Sequence, residues 1–153
     1  MSIAMPAEFR KLGIAFQYPE NWTLDVEDAL AGHRSVTVYS PGGGFWSASI
    51  HPRSASPESL AEAAVKAMQE EYGDLESSEA CQLVSGHKMV GYDLNFFYLD
   101  LTNTALIRCI RTERATYAVF CQAEDREFDR VRAVFDAMTA SFLNNLRPGR
   151  PSV

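Results

Sequence analysis

The chain reads as an α+β domain: an antiparallel β-sheet sandwiched by helices, in the order ββββ-α-ββββ-α. Three observations predict this. Most of the chain alternates apolar and polar residues with period two, the mark of half-buried strands. Short turn signals join those segments, and a parallel pair would need a crossover of about a dozen residues, so the strands run antiparallel. Two stretches instead repeat apolar residues at helical spacing, and each must bury its stripe against the sheet.

Leu12, Ile14, Phe16 and Tyr18 fall on one face of a first strand. Pro19-Glu20-Asn21 is a turn, because Pro fixes φ and Asn tolerates tight geometry. Trp22, Leu24 and Val26 alternate with polar residues, then Asp28 to Gly32 forms a loop or short turn. Val36 and Val38 mark a third strand, and Ser40-Pro41-Gly42-Gly43-Gly44 breaks it. Phe45 to His51 is the fourth, with Trp46, Ala48 and Ile50 on one face.

Ser56-Pro57-Glu58 starts a helix: Ser caps, Pro takes the first turn and Glu sits at the positive dipole end. Leu60, Ala64, Met68 and Tyr72 follow at a spacing of four, and Gly73 stops the helix. Strands are then expected at Cys81–Val84, from Tyr92 to Leu99, at Ala105–Thr112 and at Tyr117–Gln122. Ser85-Gly86-His87, Thr102-Asn103 and Glu113-Arg114-Ala115 are the expected turns. The last helix begins near Asp125, which can cap it, and carries Phe128, Val131, Phe135, Met138 and Phe142. One domain over residues 9–143 is expected, followed by a frayed tail over 144–153.

With 153 residues, 46% of them apolar, the chain matches one domain at about 150 residues each. A chain of this size buries about 68–70% of its unfolded surface and needs no metal or disulfide staple. Lys and Arg number 14 against 20 Asp and Glu, a net charge of −6. Nucleic-acid binding rests on phosphate neutralisation by basic residues, so that role is not expected. No run approaches about 18 apolar residues, so no membrane span is expected. Three cysteines, none spaced C-x-x-C, and a start without a basic, apolar leader point to a reduced, cytoplasmic protein.

No pattern in the chain carries recognisable catalytic chemistry. Gly42-Gly43-Gly44 lacks the P-loop and dinucleotide patterns and precedes a strand rather than a helix, so it reads as a hairpin loop. His33, His51 and His87 show no ligand spacing, and no metal or cofactor is expected. Cys109 and Cys121 lie on neighbouring expected strands and read as core thiols; whether they meet depends on a register the sequence leaves open. The acidic residues Glu20, Asp25, Glu27 and Asp28 lack the calcium-loop pattern and read as a solvated face. Arg126, Arg130 and Arg132 interleave with Glu127 and Asp129 as surface pairs. Phe45 and Trp46 are adjacent on a strand and must face opposite sides. Either one ring anchors a partner, or one ring joins the core while the other covers an edge. The partner-binding candidates are therefore Tyr39, Phe45, Trp46 and His51.

Two patches carry a resemblance. One is Phe16-Gln17-Tyr18-Pro19-Glu20-Asn21-Trp22, a strand, a Y-P-x-x-W turn and a second strand. The other is Tyr117-Ala118-Val119-Phe120, followed by Phe128, Phe135, Met138 and Ala140-Ser141-Phe142. Arranged around a central helix over roughly residues 9–143, they resemble the PsbP-like superfamily, which includes the yeast Ran-binding Mog protein and uncharacterised bacterial domains. The resemblance implies an α/β/α sandwich and a non-enzymatic role. It assigns no partner-binding residue to this chain.

The expected function is a non-catalytic protein-interaction or adaptor domain of the bacterial cytoplasm, its contact surface between Tyr39 and His51. One alternative is a cytoplasmic chaperone for a secreted effector, with an apolar groove and a homodimer. The other is a small-ligand binder or enzyme whose pocket is lined by aromatics and Arg108 or His51.

Overall fold

A computed structural model describes residues 6–146. Leu12 and Gly13, at φ of 61° and 79°, turn the chain between β1 (Pro6–Lys11) and β2 (Ile14–Pro19). A two-residue loop with both residues left-handed matches the twist of the strands it joins. This hairpin is a two-stranded sheet of its own. The sequence does not announce β1, because Phe9 is its one buried residue and no alternation shows. Leu12, expected on the apolar face of a strand, sits in the turn and is 42% exposed.

The main sheet has seven strands: β3 (Thr23–Asp25), β4 (Ser35–Tyr39), β5 (Phe45–His51), β6 (Glu76–Val84), β7 (His87–Tyr98), β8 (Leu101–Arg111) and β9 (Thr116–Glu124). Their spatial order is β3-β4-β5-β9-β8-β7-β6, antiparallel at every step. Five strands rather than four therefore precede the central helix. The turn expected at Thr102-Asn103 is instead Leu99-Asp100, at φ of 51° and 61°, and residues 102 and 103 continue β8. No glycine or proline marks that turn, which is why composition hides it.

Three helices complete the fold. The short α1 (Glu27–Leu30) occupies the expected loop between β3 and β4. α2 (Pro57–Glu71) starts as its residues predict: Ser56 Oγ accepts the Ser59 amide at 3.2 Å and Pro57 is the first helical residue. α3 (Asp125–Asn144) is capped one residue earlier than expected. The Glu124 carboxylate, not Asp125, accepts the amides of Arg126 and Glu127 at 2.8 and 3.1 Å. The Arg126 guanidinium, which donates to it at 2.9 Å, and then these amide bonds hold the Glu124 carboxyl below its ordinary range. Leu146, just past α3, packs against the core; residues 147–153 of the expected tail lie outside the described residues.

Two apolar layers flank the sheet. On one face α2 sets Ala61 and Val65 against Leu94, Phe96, Ala105, Ile107 and Cys109. On the other, α3 and the β1-β2 hairpin close over Trp46, Val38, Val119 and Ala48. There Phe16 lies 4.7 Å from the Trp46 ring and Phe135 meets Trp22 edge-on at 5.8 Å. Two glycines are required by close approach. A Cβ on Gly91 would strike the Ile107 carbonyl of the next strand, and one on Gly42 would fall on the Glu127 carboxylate. Glu127 is buried, accepts the Ser40 hydroxyl at 2.7 Å and so pins the loop before β5 to the start of α3.

Candidate functional site

The site follows from a mismatch in width. Seven strands spaced about 4.8 Å apart make a sheet roughly 29 Å across. One helix with its side chains is about 10 Å wide. α2 sits over β7, β8 and β9 and so does not cover the β3-β4-β5 half, where the four-residue α1 meets β4.

Strand alternation decides what this open half displays. Register places Tyr39 opposite Phe45 and Phe45 opposite Gln122, with Phe120 opposite Ser47. Tyr39, Phe45 and Phe120 thus form a row across β4, β5 and β9. The Tyr39 and Phe45 rings are 5.9 Å apart, and Phe45 stacks on Phe120 at 5.7 Å and 24°. Phe120 joins the apolar layer under α2, Phe45 is half-buried, and Tyr39 is 40% exposed. The row therefore runs from core to solvent. Ser47, Ser49 and His51 continue the same face, all half-buried.

Three of the four candidate residues, Tyr39, Phe45 and His51, share this surface. Trp46 does not. It is 0% exposed and points into the opposite layer, where its indole N–H donates to Thr139 Oγ1 at 3.0 Å. It is a core residue and cannot touch a partner on the folded domain. Period-two alternation carries that result: the strand that shows Phe45 must hide Trp46.

His51 Nε2 lies 2.8 Å from Ser49 Oγ, because residues two apart on a strand share a face. Burial pushes the His51 imidazole below its ordinary pKa, favouring the neutral ring. A serine activated by histidine needs the imidazole oriented by a third group, and none of the described hydrogen bonds supplies one at Nδ1. Arg108 does not join this face. It lies buried toward α3, donating to Asp93 at 2.7 Å, to Gln82 at 2.8 Å and to the Tyr92 carbonyl at 3.2 Å. Its neighbouring void is about 40 Å³. Arg108 and His51 are on opposite sides of the sheet, so no single pocket holds both.

The register also settles the cysteines. Cys109 pairs with Ala118 and Cys121 with Leu106, which puts the two thiols on opposite faces. Burial pushes both up to about 12. Cys81 is exposed. Among the described residues, no cluster of His, Cys, Asp or Glu could hold a metal ion, and no helix is long and apolar enough to cross a membrane.

Two features went unread in the sequence. The β7-β8 tip exposes Phe97 (60%), Tyr98 (51%) and Leu99 (76%) together, where alternation sets Tyr98 on the same face as Leu94 and Phe96. An apolar groove of about 500 Å³ runs between β2 and α3, lined by Tyr18, Pro19, Trp22, Val134 and Met138. The Y-P-x-x-W segment thus forms one wall of it, a role no spacing rule reveals.

No family model and no curated protein matches the chain. Solved structures do match. Cyanobacterial PsbP (CyanoP) from Synechocystis is 16% identical, with a TM-score of 0.60 over 92% of each chain. A Pseudomonas aeruginosa protein of unknown function, described as a putative regulator, is 10% identical, with a TM-score of 0.57 over 96% of this chain and 99% of that one. The Ran-binding protein Mog1p of Saccharomyces cerevisiae is 8% identical, with a TM-score of 0.53 over 94% and 93%. The chain has the PsbP-like fold, as its two patches implied; at these identities the likeness extends to the fold and no further.

Proposed function

We propose that the chain is a non-catalytic, cytoplasmic protein-interaction domain that binds its partner on the open β3-β4-β5 face. The observation that carries this is the aromatic row Tyr39–Phe45–Phe120, which leaves the core and ends in solvent beside a hydroxyl-lined surface. Aromatic rings of this kind give a partner large contact area at small entropic cost and are enriched at binding hot spots. The surface is a sheet face rather than a deep cleft, and the Ser49–His51 pair lacks an orienting acid, which favours binding over catalysis. The Ran-binding neighbour supports a protein as the partner class. The test places a photo-crosslinking phenylalanine analogue at position 39 and, separately, at the distant exposed Glu113. A discrete protein adduct at 39, absent at 113 and lost on Phe45→Ala, is expected. Identical adducts at both positions would defeat the reading.

A second reading, a chaperone for an apolar segment, is favoured by the groove between β2 and α3. Its wall is mostly apolar, and an extended or helical apolar peptide fits beside Trp22 and Val134. Val134→Asp would abolish capture of such a segment and leave the position-39 adduct intact.

A further inference from the structure

The geometry points to a second copy of this chain as the partner of β6, joined edge to edge in antiparallel register around Ala80. The two edges of the seven-stranded sheet are built differently. β3 ends one side with three residues, too short to template another strand. β6 ends the other with nine. Its pairing to β7 runs without a break from Glu76–Asn95 to Val84–His87, so no bulge twists it away. It contains no proline and no lysine. Short edges, bulges, proline and charged side chains, lysine above all, are the devices by which monomeric sheets prevent edge pairing; of these β6 carries only two carboxylates, Glu76 at its end and Glu79.

The direction of each peptide group follows from the turn. Ser85 and Gly86, at φ of 50° and 79°, form a two-residue loop, and the residues flanking such a loop exchange both hydrogen bonds. Val84, Gln82, Ala80, Ser78 and Glu76 therefore turn their main chain toward β7. Ser77, Glu79, Cys81 and Leu83 turn theirs outward. A two-fold axis at Ala80 sets Ser77 against Leu83 and Glu79 against Cys81 of the copy, matching outward groups with outward groups along the whole strand. About eight interchain hydrogen bonds result, two per such pair. An axis at Glu79 would instead oppose two carboxylates, which is unfavourable.

The side chains agree with the axis. Leu83 is 74% exposed and Cys81 is exposed; both would be covered. On the α3 side the axis passes small residues, Ser78 and Ala80, with Gly91 beside Ala80 on β7; α3 meets β6 away from the axis, near Gln82 and Val84. α2 packs on β7 to β9 and stands off β6 across a hollow of about 370 Å³ bordered by Glu58, Glu62, Glu79 and Cys81. A closed, isologous dimer with one continuous sheet is the outcome.

Light scattering on the full chain is expected to give twice the 17.0 kDa chain mass. Leu83→Pro removes an outward amide while sparing the β6-β7 bonds, and is expected to halve that mass. An Ala80→Cys, Cys81→Ser variant reports the register independently. In a non-hydrogen-bonded pair the two position-80 Cα atoms lie about 4.5 Å apart, within the range of roughly 4.4–6.8 Å that a disulfide spans. Mild oxidation should therefore convert that variant to a covalent dimer. If Leu83→Pro fails to fold, the cross-link alone decides. A monomer at submillimolar concentration overturns the inference. So does a dimer that survives Leu83→Pro without a cross-link at position 80.

Discussion

Trp46→Ala is the sharpest discriminator between a core and a contact role for the residue beside the open face. The ring is 0% exposed, sits 4.7 Å from Phe16 and 6.2 Å from Phe142, and donates to Thr139. Truncating a buried Trp costs about 3–5 kcal/mol, from lost transfer energy plus the cavity left behind. Thr139 Oγ1 also loses a donor, but it still bonds the Phe135 carbonyl at 3.0 Å, so little is added. Against a total stability of about 5–15 kcal/mol, this is a large fraction. At about 2–4 °C per kcal/mol for a domain near this size, Tm should fall by roughly 6–20 °C. Urea unfolding followed by circular dichroism measures the change directly. Tyr39→Ala on the open face should stay within about 0.5 kcal/mol of wild type, as an exposed substitution does. A Trp46→Ala loss below about 1 kcal/mol, the size of an average substitution, would refute the packing argument.

The remaining predictions draw on single features. Iodoacetamide should spare Cys109 and Cys121 on the native chain, because burial keeps both protonated; they should react only in denaturant, as mass spectrometry after digestion would show, whereas Cys81 should label on the Leu83→Pro monomer. Gly42→Ala should cost about 1–3 kcal/mol, because its methyl meets the buried Glu127 carboxylate and overpacking carries that penalty. Replacing Leu99-Asp100 by Asn-Gly should stabilise by about 1 kcal/mol: both residues hold positive φ, a conformation costing non-glycine residues about 1–2 kcal/mol each, and exposed Leu99 has little burial to lose. For His51, burial lowers the folded pKa, so the unfolded state binds more protons over a window just below the ordinary imidazole value. Stability should then fall as pH drops through that window, and His51→Asn should flatten that part of the profile.

Much of the fold was legible because period and punctuation agreed. Phe45–His51 alternates cleanly and is a strand at those bounds; Ser56-Pro57 starts α2 by the chemistry of cap and first turn. What failed had a physical cause each time. β1 packs through Phe9 alone and shows no period. The β7-β8 tip turns on Leu99 and Asp100; a leucine rarely holds left-handed backbone, so turn chemistry misplaced it by three residues. The site was half legible: alternation required Phe45 and Trp46 to face opposite ways, yet only register could say which one met solvent. Phe120, the third ring of the row, lies four strands beyond Phe45 in sequence order and enters only through the β5-β9 pairing.

The surfaces that remain after folding follow from how little covers the sheet. One face receives α3 and a hairpin, and its layer contains both tryptophans. The other receives a single helix of 15 residues, which at about 10 Å across cannot shelter seven strands. The chain's response differs at the two ends of that face. At β3 the edge is cut to three residues and the open surface carries hydroxyls with one row of rings, a composition that stays in water until a partner covers it. At β6 the strand is long, unbroken and free of lysine and proline, so exposure there leaves unpaired amides rather than a finished surface. Self-pairing at β6 and partner binding at β3-β4-β5 would therefore use opposite ends of one sheet and would not compete. A variant that dissolves the dimer should leave the position-39 adduct unchanged, and loss of that adduct in a folded Leu83→Pro monomer would break this separation.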